Sequence, residues 1–168
     1  MKSSRWTARL LVPMIASLAV LMAMPGVAQT RAADTESGKP QPTLPIITLT
    51  AAAGIKIRTE VANSEPTRNL GMMFRTRMGR NEGMLFVFER PGYYAMWMRN
   101  TLIPLSVAYL DSDGVIVSIH EMAPRTENPH QAAGPVIYAL EMNANWFANN
   151  NVKPGDRIVG LDKAPKAR

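Results

Sequence analysis

The chain has 168 residues, 46% of them hydrophobic, and a formal net charge of +6 at pH 7. This length suits one domain, and the absence of cysteine excludes disulfides, thiol catalysis and a lipoprotein anchor. Beyond residue 28 the chain keeps 16 Lys and Arg against 13 Asp and Glu. This weak excess of positive charge does not indicate nucleic-acid binding, which usually requires a clustered basic patch.

Residues 1–28 are typical of a secretory signal peptide. Three basic residues precede the apolar run Leu10–Met24, and the small residues Gly26 and Ala28 suit signal peptidase. We predict cleavage near Ala28 and a periplasmic or secreted bacterial protein. The alternative is an uncleaved anchor helix, but the run is shorter than the roughly 20 residues of a membrane span. The membrane is therefore met only transiently, during export.

Residues 29–45 contain three prolines and one large aliphatic side chain, which predicts a disordered linker. The folded domain is expected from Ile46, where Ile46–Thr50 has the composition of a strand. Alternating apolar and polar residues in 55–61 predict a second strand with one wet face. Ser64 can then cap a short helix, and residues 75–83 read as an irregular basic loop.

A series of short apolar segments follows. Further strands are predicted at Met84–Phe88, Tyr93–Met98, Leu105–Leu110, Val115–Ile119, Val136–Glu141 and Arg157–Leu161, with turns at Glu89–Gly92 and Asp111–Gly114 and a second helix within Asn143–Asn151. The fold predicted for residues 46–162 is mainly β, a compact antiparallel barrel or sandwich of about eight short strands with two short helices. No parallel β-α-β alternation is visible, and residues 163–168 form a polar tail.

Six segments carry a more specific pattern in one register. They are Gly71–Arg75, Gly83–Phe88, Trp97–Leu105, Asp111–His120, Tyr138–Asn143 and Val152–Asp156. Together they resemble the exported DUF192 family, a domain of unknown function, over about residues 46–162. The resemblance implies a small β-rich domain, often behind a signal peptide, with no established activity.

Two positions depart from the family pattern. Ser106 stands where the family usually has aspartate, and Arg99 stands where it usually has lysine. Arg99 keeps the positive charge. If the aspartate served chemistry or a metal, Ser106 weakens that function, whereas a purely structural aspartate is replaced by serine more easily.

A polar cleft is the functional site that the residues favour. Arg75 follows the first helix, Asn100 and Thr101 lie at a strand break beside Trp97, and Glu141 ends an apolar strand. These groups would suit a small polar or anionic ligand. The alternative is that these residues are structural. Arg75 and Glu141 would then form an ion pair, Asn100 and Thr101 would satisfy the hydrogen bonds of their own turn, and Trp97 would belong to the core. We expect a binding or accessory module of the cell envelope, whose partner is such a ligand or an envelope protein.

A hydrolase is the rival hypothesis from another class. It would use Glu141 and Asp111, but nothing in the sequence fixes their separation. Ser118 and His120 share a strand face without an acid to orient the histidine. No catalytic motif is recognisable, so the sequence leans against an enzyme and indicates no cofactor.

A Cu(I) or Ag(I) site is the third hypothesis. Met96 and Met98 would share one face of a strand, and soft thioethers select such ions. The alternative is core packing, which methionine serves well. His120 and Glu121 point to opposite faces of a strand, and His130 lies in a loop, so zinc is poorly supported.

Overall fold

A computed structural model describes residues 38–168 of the chain. These residues form eight β-strands and two short α-helices, which confirms the prediction of a mainly β protein. The strands are β1 (Ile46–Thr50), β2 (Lys56–Ala62), β3 (Glu82–Gly92), β4 (Ala95–Met96), β5 (Leu105–Leu110), β6 (Ile116–Met122), β7 (His130–Gln131) and β8 (Val136–Asn143). The helices are α1 (Glu65–Leu70) and α2 (Trp146–Asn149). Within this part of the chain no helix is long and apolar enough to cross a membrane.

Six strands form one mixed sheet in the order β1-β2-β3-β8-β5-β6, and β4 pairs with β7 in a second, two-stranded sheet. Among the described strands the large sheet does not close on itself, so the sandwich-like form of the prediction fits and the barrel does not. Strand β5 lies inside the sheet between β8 and β6, and all six of its residues are buried.

Strands β2 and β3 run parallel, with α1 between them in the chain. The sequence interpretation was wrong here, because it saw no β-α-β unit. A parallel connection needs a dozen or more residues, and this one has a helix of only six followed by a basic loop. Ser64 does cap the helix, since its backbone N–H donates to Thr67 Oγ1 at 3.1 Å in a capping box.

Each face of the large sheet carries its own core, because successive residues of a strand point to opposite faces. The first core packs against α2 and the C-terminal residues, and it includes Leu49, Ile57, Leu85, Leu140, Trp146 and Ile158. The second core packs against the segments that follow α1 and β4, and it includes Met72, Met84, Phe86, Met98, Val107 and Tyr109. This second face also carries two buried acids, Glu60 and Glu141.

The predicted turn and strand over residues 89–98 differ from the structure. Glu89–Gly92 is not a turn but the end of β3, which shifts register against β8 between Val87 and Gly92. The predicted strand Tyr93–Met98 is reduced to the two residues of β4. Its partner β7 was not predicted, because two residues in a loop give no periodic pattern.

The C-terminal elements also differ from the prediction, since β8 is longer and the elements after it are shorter. Strand β8 continues through Asn143, and Asn145 is left-handed at φ 62°, so α2 begins only at Trp146. The predicted strand Arg157–Leu161 makes only isolated bridges to the rest of the fold, at Arg157 and Val159.

The predicted turn between β5 and β6 is confirmed. Gly114 has φ 78°, and a Cβ there would stand 2.5 Å from the Ile158 carbonyl oxygen. Asp111 Oδ1 accepts the backbone N–H groups of Asp113 and Val115, both at 2.9 Å. Glycine is required by conformation and by space, and the aspartate fixes the turn.

The signal-peptide prediction and most of the predicted linker lie outside the described residues. The last part of the linker contacts the domain. Gln41 is buried, and its Nε2 donates to the Gly71 carbonyl at 2.7 Å. The Leu44 N–H donates to Glu60 Oε2 at 2.9 Å. These contacts hold residues 41–45 against the fold, so the packed domain begins ahead of β1.

Candidate functional site

A pocket of about 460 Å³ opens on the second face of the large sheet. Its walls come from α1 and the residues after it, from the end of β3, and from residues 94–97. Thr101 and Glu141 are its most buried polar side chains, 4% and 3% exposed. Concave sites of this volume are typical of small-molecule binding.

Glu141 is the buried carboxyl of this pocket. It lies on β8 between Met84 of β3 and Val107 of β5, its direct cross-strand neighbours. Its Oε2 atom is buried and has no hydrogen-bond partner within the described part of the chain. Burial raises the pKa of Glu141 to about 8, because the charged form cannot be solvated there. The carboxyl therefore keeps its proton at neutral pH and offers an O–H donor.

The pocket wall beside Glu141 is apolar. Met72 and Phe86 are 3% and 2% exposed and line the pocket. Gly71 ends α1 with φ 47°, and a Cβ there would stand 3.2 Å from the Phe86 ring. Glycine takes this conformation without strain and leaves room for the ring, so Gly71 sets the wall where the helix ends.

Aromatic side chains form the outer wall. Phe88 and Tyr94 stack with ring centroids 3.7 Å apart, and the Tyr94 hydroxyl donates to the Arg90 carbonyl at 2.8 Å. Trp97 is 47% exposed, and the Arg99 guanidinium lies 5.9 Å from its ring centroid. The outer wall thus offers rigid apolar area to a ligand.

The arginine of α1 is anchored within this wall. Arg68 Nη1 donates to the Val87 carbonyl at 3.0 Å, and Nη2 lies 3.8 Å from Glu89 Oε1. Glu89 is largely exposed, so solvent screens the ion pair. The hydrogen bond to β3 is the firmer of the two contacts.

Three of the five predicted ligand residues line the pocket: Trp97, Thr101 and Glu141. That they bind a ligand stays a prediction. Thr101 also belongs to a turn, since its backbone N–H donates to the Met98 carbonyl at 3.0 Å.

Arg75 is not part of the pocket lining. It forms a bidentate pair with Glu60, with nitrogen–oxygen distances of 2.6 and 2.8 Å. The structural alternative for Arg75 therefore named the right interaction but the wrong acid, Glu141. Burial alone would raise the pKa of Glu60, but the hydrogen bonds from Arg75 and the Leu44 N–H hold it below its usual value.

Asn100 lies outside the pocket lining and joins two loops. Its carbonyl oxygen accepts the Phe74 N–H at 2.9 Å. Both residues have positive φ, 53° at Asn100 and 64° at Phe74. Asparagine tolerates this region, whereas phenylalanine there is an outlier held by its surroundings.

The copper hypothesis loses the geometry it was built on. Strand β4 contains Met96 but not Met98, so the two thioethers do not share a strand face. Met98 is fully buried in the second core, while Met96 is half-buried and lines the pocket. The rings of His120 and His130 lie 6.1 Å apart, and within residues 38–168 no group of three or more histidines and acids could hold a metal.

The two carboxyls of the hydrolase hypothesis do not face each other. Glu141 is paired with Val107, and Asp111 lies four residues further along the same chain direction. At roughly 3.3 Å per residue this is about 13 Å, beyond the roughly 5 to 9.5 Å between the two carboxyls of glycosidases. Asp111 Oδ1 is also engaged in its own turn.

Ser106 occupies a structural position on the opposite face from Glu141. Its hydroxyl lies 2.6 Å from both carboxylate oxygens of Glu121 and accepts the Asn145 N–H at 2.8 Å. The departure from the family pattern therefore fixes the entry to α2 and leaves the pocket unchanged.

Sequence reasoning missed much of the pocket wall. Met72 and Phe86 were not predicted as site residues, and both also belong to the second core. Their place at a pocket follows from the parallel pairing of β2 and β3, which brings the end of α1 over the sheet. A single acid in an otherwise apolar strand was the one available signal, and it identified Glu141.

The DUF192 family model, described as "Uncharacterized ACR", matches residues 47–160 of the chain. No curated protein matches the chain significantly.

Two solved crystal structures are similar. One is a protein of unknown function from Novosphingobium aromaticivorans DSM 12444, which is 35% identical, with a TM-score of 0.68 over 74% of this chain and 94% of that one. The other comes from Sinorhizobium meliloti 1021 and is described as a "putative transcription regulator". It is 34% identical, with a TM-score of 0.66 over 72% of this chain and 98% of that one.

Proposed function

Since the chain belongs to the DUF192 family, an uncharacterised family, we propose its function from the site: an exported binding module of the cell envelope whose pocket takes a small ligand. One observation carries this proposal. Glu141 lines an open pocket, and its Oε2 atom is buried without a hydrogen-bond partner among residues 38–168. Buried polar atoms are almost always paired, so a ligand that supplies the partner gains a hydrogen bond and covers apolar surface.

Binding explains the site better than hydrolysis does. A glycosidase needs a second carboxyl at a fixed distance, and Asp111 lies too far along the strand to provide it. The buried polar groups that line the pocket are one carboxyl, Glu141, and one hydroxyl, Thr101, beside several apolar and aromatic side chains. This combination orients a ligand without supplying a nucleophile or a base–acid pair.

Export is supported by the sequence of residues 1–28, with its basic start, apolar run and small residues before the cleavage point. Expression of the full chain with a C-terminal tag in a Gram-negative host tests this part. We expect a periplasmic product shortened by 28 residues at its N-terminus. An unshortened cytoplasmic product would overturn the envelope assignment without bearing on the pocket.

A thermal-shift screen of the purified protein against neutral, cationic and anionic small molecules tests the pocket. A ligand that binds the native state stabilises it by about 2.7 kcal/mol at a hundred times its Kd. Ala95 is exposed and lines the pocket, so Ala95→Trp narrows the entrance without disturbing a core. The matched control is Ala133→Trp, at an exposed position that does not line the pocket.

We expect at least one class of compound to raise the unfolding midpoint of the wild type and of Ala133→Trp, and not that of Ala95→Trp. A screen without any shift, or shifts that survive Ala95→Trp, would overturn the proposal.

A further inference from the structure

The charge state of the pocket defines its ligand class more closely, and this step rests on the proposed function. We propose that the pocket selects an uncharged molecule that places a carbonyl oxygen against Glu141 Oε2 and an apolar body against Phe86 and Met72. An amide carbonyl on an aromatic or aliphatic body represents this class.

The burial of Glu141 puts a hydrogen bond to its carboxyl at the inner end of the pocket. Glu141 is 3% exposed, whereas Trp97 at the outer wall is 47% exposed. A ligand that reaches Oε2 therefore passes the aromatic wall and then contacts Phe86 and Met72, which line the same pocket. An apolar body behind one polar head group satisfies both regions.

Two arginines near the pocket are engaged with other groups. Arg75 makes both of its short contacts to Glu60, and Arg68 bonds to the Val87 carbonyl and faces Glu89. Arg90 lines the pocket at its exposed rim, whereas Glu141 is buried. An anionic group placed against Glu141 would therefore meet a carboxyl without the arginine fork that usually holds an anion. A cationic ligand would require Glu141 to ionise where burial opposes the charge.

The other titratable groups around Glu141 leave it protonated. Tyr109 of β5 and His120 of β6 share its face of the sheet. Burial, with a smaller contribution from Glu141, raises the pKa of Tyr109, and burial and His130 lower the pKa of His120. Both are thus neutral at pH 7. The charged side chains at the pocket rim balance in sign; they are Glu65, Arg68, Glu89 and Arg90.

A neutral carboxyl in an apolar pocket acts as an O–H donor, because its charged form would be poorly solvated. The complementary ligand group is an acceptor that carries no charge of its own. A carbonyl oxygen meets this requirement at the least desolvation cost, since an ammonium or a carboxylate must also leave water.

Three probes with the same ring test the head group: N,N-dimethylbenzamide, which accepts but cannot donate a hydrogen bond, benzoate and benzylamine. Binding is followed through the indole N–H signals of Trp97 and Trp146 in two-dimensional NMR. Trp97 lines the pocket, whereas Trp146 packs in the first core and donates to Asn81. A pocket ligand shifts the Trp97 signal and leaves the Trp146 signal unchanged.

At about pH 6.5 we expect N,N-dimethylbenzamide to bind about tenfold more tightly than benzoate or benzylamine, the difference that one hydrogen bond supplies. Its affinity should fall about tenfold by about pH 9.5, where Glu141 loses its proton and the ligand has no N–H to donate to the carboxylate. Glu141→Gln keeps a neutral N–H donor, so it should retain binding of this probe within about twofold and lose the pH dependence. Glu141→Leu, close in size, should bind the probe at every pH about tenfold more weakly than the wild type does at pH 6.5.

The outcomes separate the two proposals. If benzylamine binds most tightly, and more tightly as the pH rises, the ligand is not uncharged, although the pocket still binds ligands. Equal affinity for all three probes would lead to the same conclusion. If none of the three probes shifts the indole N–H signal of Trp97, the proposed ligand class is also wrong. The proposed function would then be decided by the thermal-shift screen with its Ala95→Trp variant.

Discussion

Glu60 and Glu141 are buried acids on the same face of the same sheet, and they differ in what surrounds them. Both are direct cross-strand neighbours of Met84, so they lie two strands apart, roughly 10 Å. Glu60 receives hydrogen bonds from Arg75 and from the Leu44 N–H. Glu141 has a buried oxygen to which none of residues 38–168 donates a hydrogen bond.

The two environments shift the two carboxyls in opposite directions. The pKa of Glu60 is held below its usual value despite burial, while burial raises that of Glu141 to about 8. A compensated acid supports the fold, whereas an uncompensated acid lowers stability and persists where it has a use. Glu60 therefore has a structural role, whereas for Glu141 we propose a role in binding.

The largest effect is expected in the pH dependence of stability. Folded Glu141 keeps its proton up to about pH 8, whereas the unfolded side chain releases it near 4.5. Stability therefore falls as the pH rises between these values, by about 5 kcal/mol from this group. Urea denaturation of wild type and Glu141→Gln across this range isolates the effect, because the variant keeps His120 and Glu60. Parallel curves for the two proteins would contradict the buried neutral carboxyl.

The next largest loss of stability is expected when Glu60 loses its arginine partner, Arg75. Arg75→Ala leaves Glu60 buried without its main partner, and we expect a loss of about 3 kcal/mol of unfolding free energy at pH 7. The exposed Arg77 provides the control, since Arg77→Ala should change stability by less than about 0.5 kcal/mol. Similar losses in both variants would remove the distinction between the two acids.

The segment ahead of β1 should contribute less to the free energy of unfolding than Arg75 does. Gln41→Ala removes the side-chain bond to the Gly71 carbonyl, and we expect a loss of about 1 kcal/mol in urea denaturation. Gln131→Ala, at an exposed position, is the matched control. If Gln41→Ala is as neutral as its control, residues 41–45 do not support the domain.

The smallest loss of stability is expected at an exposed acid, Glu82, when its arginine partner is removed. Arg58 and Glu82 lie 3.1 Å apart, but their side chains are 53% and 43% exposed. Arg58→Ala should therefore cost about 0.5 kcal/mol or less, and added salt should reduce even that. A loss close to that of Arg75→Ala would show that burial does not govern these pairs.

The strands could be predicted from sequence wherever a local pattern defines them. Residues 46–50 and 105–110 were predicted with their observed bounds, and the turn at Gly114 follows from Asp and Gly at required positions. The parallel pairing of β2 and β3 could not be predicted, because strand order depends on contacts between distant residues. Strand β7 has only two residues and was missed for want of a pattern.

The pocket could be predicted only in part, for a related reason. Glu141 is visible in the sequence as an acid in an apolar strand. The partner of Arg75 is not visible, because Glu60 alternates with apolar residues as any wet-face acid does. Only the fold shows that Glu60 takes the arginine and leaves Glu141 without it.

The most direct test of this account is the titration of Glu141 itself. Carboxyl 13C NMR of protein labelled at the glutamate side chains follows each acid, with Glu141→Gln and Glu60→Gln to assign the signals. The account predicts a midpoint near pH 8 for Glu141 and one below the usual glutamate value for Glu60. A Glu141 that titrates in the ordinary glutamate range would be ionised at neutral pH, and both the unpartnered donor and the ligand class inferred from it would be wrong.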